Sequence, residues 1–365
     1  MNSNVLNGGI RFRTGCPIVI AAIVLVAVFV LMCTGFADDS DAAGGIIPNT
    51  NITWETKGDT LTVTGPAGGQ AMPEYDENPN QPWSMDGIKK IVIGDGITRV
   101  GRSTFENCSG VEQISFGKDL SEIGDSAFSN TGITELTLPG NVTTLEQLAF
   151  GYCKSLKTAQ LGDGLQNIGF FAFMGCENME SVNIPASVTT IDDDAFTDCL
   201  HLHHVDWYAS FTKSKSDHVF TYSSTDPDGF SMYCGPGSVM TDGILTAAIV
   251  NELVFDGKEI RSNAFDWHTC FDLNIFIFGD NLESIAGDAF GDYTFHDEKG
   301  NEMDPTVDNL KGKTFVAKGW HNFYPEKYTV DDVEDDESLK NMEIALAVCV
   351  AVIAFGLVIS FARRK

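Results

Sequence analysis

Phenylalanine recurs at nearly constant spacing through the middle of this 365-residue chain, and this period limits the fold more than any other feature. The series is Phe105, Phe128, Phe150, Phe173 and Phe196, with separations of 23, 22, 23 and 23 residues. A fixed period of about 20 to 50 residues is typical of solenoids, whose units bury their apolar sides only against their neighbours. We therefore expect a repeat array rather than two ordinary domains.

Other residues recur in step with the phenylalanines. A cysteine stands three places after four of them, at Cys108, Cys153, Cys176 and Cys199, and Thr131 takes that place in the 22-residue unit. Each unit also has a run of alternating apolar residues, the pattern of a strand with one face toward a core. Tight-corner residues such as glycine, proline and aspartate follow most of these runs. Stacked runs predict a parallel sheet along one side of the coil.

The unit resembles the leucine-rich repeat of the BspA-like type, which reads roughly L-x-x-I-x-I-P-x-x-V-x-x-I-G-x-x-A-F-x-x-C. Residues 179–199 follow it closely as Met-Glu-Ser-Val-Asn-Ile-Pro-Ala-Ser-Val-Thr-Thr-Ile-Asp-Asp-Asp-Ala-Phe-Thr-Asp-Cys, and the resemblance covers 52–207. It implies an α/β leucine-rich-repeat solenoid, rich in β structure, with a parallel sheet on one face and short helical or irregular segments opposite. It also implies a microbial or protist surface protein that adheres to a host or matrix. The turn position lacks the asparagine of the more familiar leucine-rich repeat, so we expect no asparagine ladder.

The repeat pattern and its interruptions divide the chain. Phe265 follows Phe196 by 69 residues, three units of 23, so the unalignable stretch before it should occupy, or bulge from, about two coils. The predicted segments are a β cap (52–87), repeats (88–207), an insertion (208–248), resumed repeats (249–293), a C-terminal β cap (294–330), an acidic stalk (331–343), a transmembrane helix (344–362) and a basic cytoplasmic tail (363–365).

Both termini indicate a membrane. Arg11 and Arg13 precede an apolar run over 18–33, and Gly35 and Ala37 then suit a signal-peptidase cut, so 1–37 reads as a signal peptide. An uncleaved N-terminal anchor is the alternative. The run 344–362 is uncharged, close to the ~20 residues that span a bilayer, and is followed by basic residues. Either reading places 38–343 outside a single-pass cell membrane protein with a cytoplasmic C-terminus.

The charge of the chain excludes several partners. The formal net charge is -28, and the segment 38–343 carries all 51 acidic residues against 18 of the 23 basic ones. Phosphate recognition requires clustered lysine and arginine, which this segment lacks. We expect no nucleic-acid partner, and membrane contact only through the C-terminal helix.

Few residues indicate chemistry. The period places the repeat cysteines in the core as free thiols rather than disulfides, and of the remainder Cys234 and Cys270 are the better candidates for a bond. His201, His203, His204 and Asp206 suggest a metal site, but on a strand only two of them would converge, so we predict no metal. Asp192 to Asp194 fits a charged corner better than a calcium loop. Catalytic and nucleotide-binding motifs are absent, so we predict neither an enzyme nor a cofactor.

The outward residues of the predicted sheet are the candidate binding surface, since solenoid faces are commonly used for binding. We expect an extracellular protein or polysaccharide to contact a polar set formed by Gln113, Ser115, Glu135, Thr137, Thr158, Gln160, Ser181, Asn183, His204 and Asp206. A structural spacer of the cell envelope without a ligand is the alternative, and an enzyme is the remote third. Three sequons are glycosylation candidates: Asn51, Asn107 and Asn141. We rank Asn141 first because it follows a Pro-Gly corner, whereas Asn107 precedes a predicted core cysteine.

Overall fold

The computed structural model describes residues 42–75, 81–210, 218–224, 229–246, 248–265, 273–318 and 321–325. The predicted segments 1–37, 331–343 and 344–362 lie outside these residues. Within the described ranges, the chain contains no helix with the length and apolar character needed to cross a membrane.

Each coil contributes one strand to a wide face of parallel pairing. Its strands are β5 (Lys90–Ile93), β7 (Gln113–Phe116), β9 (Glu135–Thr137), β11 (Thr158–Gln160), β13 (Ser181–Ile184), β15 (His204–Trp207), β16 (Phe230–Cys234), β18 (Val250–Phe255) and β20 (Ile275–Phe278). Side chains alternate along these strands as the sequence predicts: in β15, Val205 and Trp207 are buried while His204 and Asp206 stay partly exposed. The predicted parallel sheet is therefore present.

The opposite side of the coil differs from the prediction of helical or irregular segments. Short parallel strands form a narrow face there, consisting of β4 (Gln70–Ala71), β6 (Ile97–Val100), β8 (Glu122–Ile123), β10 (Thr144–Leu145), β12 (Asn167–Ile168) and β14 (Thr190–Ile191), then separately β17 (Val239–Met240), β19 (Glu259–Ile260) and β21 (Ser284–Ile285). The one helix in the described part is α1 (Val307–Leu310), outside the repeats. The fold is thus a β-solenoid with parallel sheets.

Left-handed backbone at the corner after each narrow strand keeps these strands short. Two places in the unit have positive φ, and one of them is occupied by Asn107, Asn130, Tyr152, Gly175 and Asp198, with φ between 56° and 69°. Glycine, asparagine and aspartate tolerate this conformation, whereas most side chains strain it. The corner chemistry of the repeat therefore turns the chain toward the next wide strand.

Stacked phenylalanine rings fill the centre of the coil. The rings of Phe105, Phe128, Phe150, Phe173 and Phe196 are fully buried, and consecutive centroids lie 5.1 to 5.7 Å apart in near-parallel pairs. At the N-terminal end Trp83 stacks on the first of these rings at 5.8 Å. The predicted interior position of the repeat phenylalanines is confirmed.

The repeat cysteines form a second internal column of free thiols. The Sγ atoms of Cys153, Cys176 and Cys199 each donate to the carbonyl of the phenylalanine one unit earlier, at 3.2, 3.3 and 3.5 Å. Burial raises the pKa of all three thiols. Cys108, which we placed in the core, is only half-buried because it belongs to the first repeat at the N-terminal end. Cys234 is buried, and Cys270 lies outside the described residues, so the bond predicted between them stays a prediction.

One interruption divides the wide face. Strands β5 and β7 pair in parallel, as do β9 and β11, but no ladder joins β7 to β9 in the fully described stretch between them. The break coincides with the 22-residue unit, in which the corner after Phe128 is one residue short. At Gly132 in that corner, a Cβ would stand 2.3 Å from the carbonyl oxygen of Ser109, so only glycine fits.

The segment 208–248 continues the coil rather than leaving it. Strand β16 pairs in parallel with β15 on one side and β18 on the other. His204 pairs with Ser231 and Ser231 with Glu252, separations of 27 and 21 residues that hide the period of 23. Phe220 also extends the ring column, 5.2 Å from Phe196.

Antiparallel strands close both ends of the solenoid. The N-terminal cap begins at Ala43, before the predicted boundary at 52, because β1 (Ala43–Ile46) pairs with β2 (Thr53–Lys57), which pairs with β3 (Thr60–Thr64). The C-terminal cap contains β22 (Thr294–His296), β23 (Glu302–Met303), α1, β24 (Thr314–Ala317) and β25 (Asn322–Pro325). Strand β24 runs antiparallel to β20 and covers the last edge.

Candidate recognition surface

Strand register aligns eight of the ten predicted binding residues into two rows on the outer side of the wide face. The first row is Glu135, Thr158, Ser181 and His204, and the second is Thr137, Gln160, Asn183 and Asp206. Neighbouring members of a row are separated by one strand spacing, about 4.8 Å. Gln113 and Ser115 lie on β7, beyond the break, and pair instead with Lys90 and Val92 of β5. The two rows are termed the polar strip.

Both rows continue into residues that we did not predict. Ser231 and Glu252 extend the first row, and Tyr233 and Val254 extend the second. The irregular period of 208–248 concealed β16, although the run Phe230-Ser-Met-Tyr-Cys234 has the alternation of a half-buried strand. Burial, together with the Asp256 and Asp206 carboxylates, raises the pKa of Tyr233, so its hydroxyl remains a hydrogen-bond donor at neutral pH.

His204 connects the two rows. Its Nδ1 lies 2.8 Å from Ser231 Oγ, and its Nε2 lies 3.2 Å from Asp206 Oδ1. His204 and Asp206 therefore do share the outward face, as the alternation predicts, while the His201 ring bonds the Glu177 carbonyl at 2.7 Å. Among the described residues, no group of three metal-ligating side chains is close enough to hold an ion. The histidine holds its two polar neighbours in place.

Asn183 has a different role from the one predicted. Its Oδ1 accepts from the backbone N–H of Leu161 at 2.7 Å, and its Nδ2 donates to the carbonyl of the same residue at 3.2 Å. Both ends of the amide are thus used within the protein, because an asparagine on a parallel strand can reach the backbone of its neighbour. Asn183 supports the sheet next to Gln160, which is exposed.

The C-terminal end of the wide face is apolar and aromatic. Ile275 pairs with Val316 of the cap, and Val316 pairs with Tyr324. The Tyr324 ring stacks on His296 with centroids 4.2 Å apart. The polar strip therefore grades into a surface where a partner would bury apolar area.

The sequons rank differently in the structure. Asn51 and Asn107 are exposed, and Asn107 Oδ1 accepts a hydrogen bond from Asn130 at 2.9 Å. Asn141 is half-buried, and its Nδ2, the atom that a glycan would modify, donates to the Leu120 carbonyl. The Pro-Gly corner turns this side chain back onto the preceding coil, so our ranking of Asn141 above Asn107 was wrong on exposure.

Comparison with known proteins agrees with this geometry. A family match to the BspA type leucine rich repeat region, in six copies, spans residues 82–223. Comparison with curated proteins finds no match.

Three solved structures illustrate the similar folds. A leucine rich repeat protein of T. pallidum is 19% identical over 53% of this chain and 92% of its own, with a TM-score of 0.36. A leucine rich cell surface protein of Faecalibacterium prausnitzii is 16% identical over 70% and 87%, with a TM-score of 0.34. The pneumococcal vaccine antigen PcpA is 15% identical over 78% and 99%, with a TM-score of 0.27. From the family match and the coil described above, the chain belongs, through its repeats, to the BspA-type leucine-rich repeat family.

Proposed function

We propose that this protein is a cell-surface recognition or adhesion protein that binds an extracellular protein or glycan on the outer side of its wide face. The observation that carries the proposal is the polar strip, in which register brings side chains from successive coils into two continuous rows. A ligand that extends across the coils would contact equivalent positions in each. The similar proteins from T. pallidum and Faecalibacterium prausnitzii, the latter a cell surface protein by name, favour a surface location.

The residues of the strip differ in availability. Thr137 and Gln160 are exposed, adjacent in the second row, and make no side-chain hydrogen bond to any described residue. Asn183 and His204 are engaged within the protein, as described above. We therefore assign the first contacts with a ligand to Thr137, Gln160 and Glu135.

Binding of the purified full-length chain to an array of matrix proteins and glycans tests the proposal. The parent should be captured by at least one probe, and the double variant Thr137→Ala with Gln160→Ala should bind at least about tenfold more weakly, a loss of ~1.4 kcal/mol. Asp163→Ala changes an exposed corner outside the strip and should bind like the parent. Deletion of 208–248 is unsuitable, because it would remove β16 from the middle of the sheet.

A structural spacer of the envelope is the competing function. An acidic, capped array could separate a partner from the membrane without binding any ligand. Failure of the parent to bind any probe, or equal binding by the strip variant and the parent, would favour the spacer.

A further inference from the structure

A groove crosses three coils on the narrow face, away from the polar strip. It has a volume of about 390 Å³, within the ~300–1,000 Å³ typical of ligand sites. Strands β10, β12 and β14 supply its lining: Thr144, Leu145, Glu146, Gln147, Asn167, Gly169, Phe170, Thr190 and Asp192. The register places Gly169 between Glu146 and Asp192. The missing side chain at Gly169 leaves the space between the two carboxylates open.

The corner beside this groove departs from the rest of the array. One left-handed corner position, with φ between 51° and 58°, is occupied in successive units by Ser103, Ser126, Leu148, Phe171, Asp194 and Asn263. Large apolar side chains are strained in this conformation, and strained backbone is concentrated at functional sites. Phe171 nevertheless stands here, with its ring centroid 3.6 Å from that of Phe170. Two half-buried phenylalanines thus occupy a corner that other units fill with polar residues.

The polar groups of the groove are held in place by the protein. Glu146 accepts from Arg99 Nη2 at 2.9 Å and from the Asp125 backbone N–H at 2.9 Å. Burial opposes its ionisation, but hydrogen bonds from Glu122, Arg99 and Asp125 hold its pKa below the usual value. Asn167 Nδ2 donates to Thr144 Oγ1 at 3.4 Å. Glu146 is therefore a fixed acceptor, and the amides and hydroxyls around it offer both donors and acceptors.

We propose that this groove binds a neutral oligosaccharide, with one sugar ring packed against Phe170. The face of a pyranose ring presents C–H groups that suit an aromatic ring, while its hydroxyls donate and accept hydrogen bonds at the rim. The carboxylates of Glu146 and Asp192 repel an anionic glycan. The nearby cation, Arg99, is already paired with Glu74, Glu122 and Glu146, and so offers little to an anion. This site is separate from the proposed wide-face function.

Titration calorimetry of the full-length chain with neutral hexasaccharides of glucose, mannose and N-acetylglucosamine tests the proposal. At least one should bind saturably, while oligogalacturonate and a lysine-rich peptide should not bind at this site. Phe170→Ser should weaken the sugar affinity at least about tenfold. Phe171→Asn should weaken it too, without lowering the melting temperature, because asparagine suits the left-handed corner. Should Phe170→Ser fail to fold, Asn167→Ala gives the same readout.

Two control variants separate this site from the rest of the molecule. Ser262→Ala changes the corner equivalent to Phe170 in a later unit, and Gln160→Ala changes the wide face; both should bind the sugar like the parent. Absence of binding to every neutral hexasaccharide would overturn the proposal. Equal binding by Phe170→Ser and the parent would also overturn it. Sugar binding lost in Gln160→Ala but kept in Phe170→Ser would overturn it while supporting the wide-face function.

Discussion

Phe173 lies at the centre of the ring column. Its centroid is 5.7 Å from that of Phe150 and 5.1 Å from that of Phe196, and its side chain is fully buried. In a solenoid, stability is approximately a sum of unit and interface contributions, so each ring couples two units. The column therefore transmits cooperativity along the array.

Replacing this ring should divide the array. Phe173→Ala should lower the free energy of unfolding by about 3–5 kcal/mol, from lost burial and the cavity left behind. Because the damaged interface is central, calorimetry of the purified chain should show two separate transitions. The control Gln160→Ala, exposed on β11, should shift the unfolding free energy by no more than about 0.5 kcal/mol. A Phe173→Ala melt identical to that of the parent would contradict the interior position.

The cysteine column predicts a pH dependence of stability. Burial raises the pKa of Cys153 to about 11 from the ordinary 9.0 and raises those of Cys176 and Cys199 further. The folded state then retains protons that the unfolded state loses above about pH 9, so stability is fully present below that pH and falls as pH rises. Urea unfolding at pH 7 and pH 10 should show the decrease, and replacing the three cysteines by alanine should reduce it. An unchanged difference in that variant would assign the effect to other groups.

Thiol labelling offers an independent measurement of the same column. Iodoacetamide reacts with the thiolate, so buried thiols of raised pKa should react only on unfolding. Cys108 is half-buried and should react first, although slowly, because burial raises its pKa to about 11. Mass spectrometry of the native chain should find Cys176 unmodified while Cys108 is labelled. Rapid native labelling of Cys176 would contradict its place in the core.

At the level of single strands, Asn183 holds β13 to β11 through its side chain. Asn183→Ala removes two hydrogen bonds to Leu161 and leaves that backbone without its partners. The expected cost is roughly 1–3 kcal/mol. Chemical denaturation should show this loss, with Ser181→Ala on the same strand close to the parent. Loss of ligand binding at unchanged stability in Asn183→Ala would instead restore the role predicted from the sequence.

The strands also show which parts of the fold sequence patterns can predict. The wide strands from β5 to β15 were predictable because alternation and a period of 23 residues both mark them. The narrow strands were not, since two residues such as Asn167 and Ile168 carry no periodic signal. Likewise, alternation places Asn183 on the outer face but does not reveal whether its amide reaches a ligand or the neighbouring backbone. The groove at Phe170 required three coils in register, which no single unit displays.

At the level of the whole molecule, we propose that the solenoid is exported and the basic tail is cytoplasmic. Protease added to intact cells should remove the repeats yet leave a tag placed after Lys365 protected. The same tag should be digested once the cells are made permeable. Digestion of the tag in intact cells would overturn this topology.

The reversed strands at both ends have a consequence for how such proteins change through evolution. Because β3 and β24 each close the parallel ladder with antiparallel pairing, copies of the chain have no open edge on which to polymerise. Duplication or loss of one internal 23-residue unit would leave both closures intact and change the length of the ladder by one strand spacing, about 4.8 Å. Genes encoding this architecture are therefore free to vary in reach in whole units, while the ends that keep the protein from aggregating stay the same.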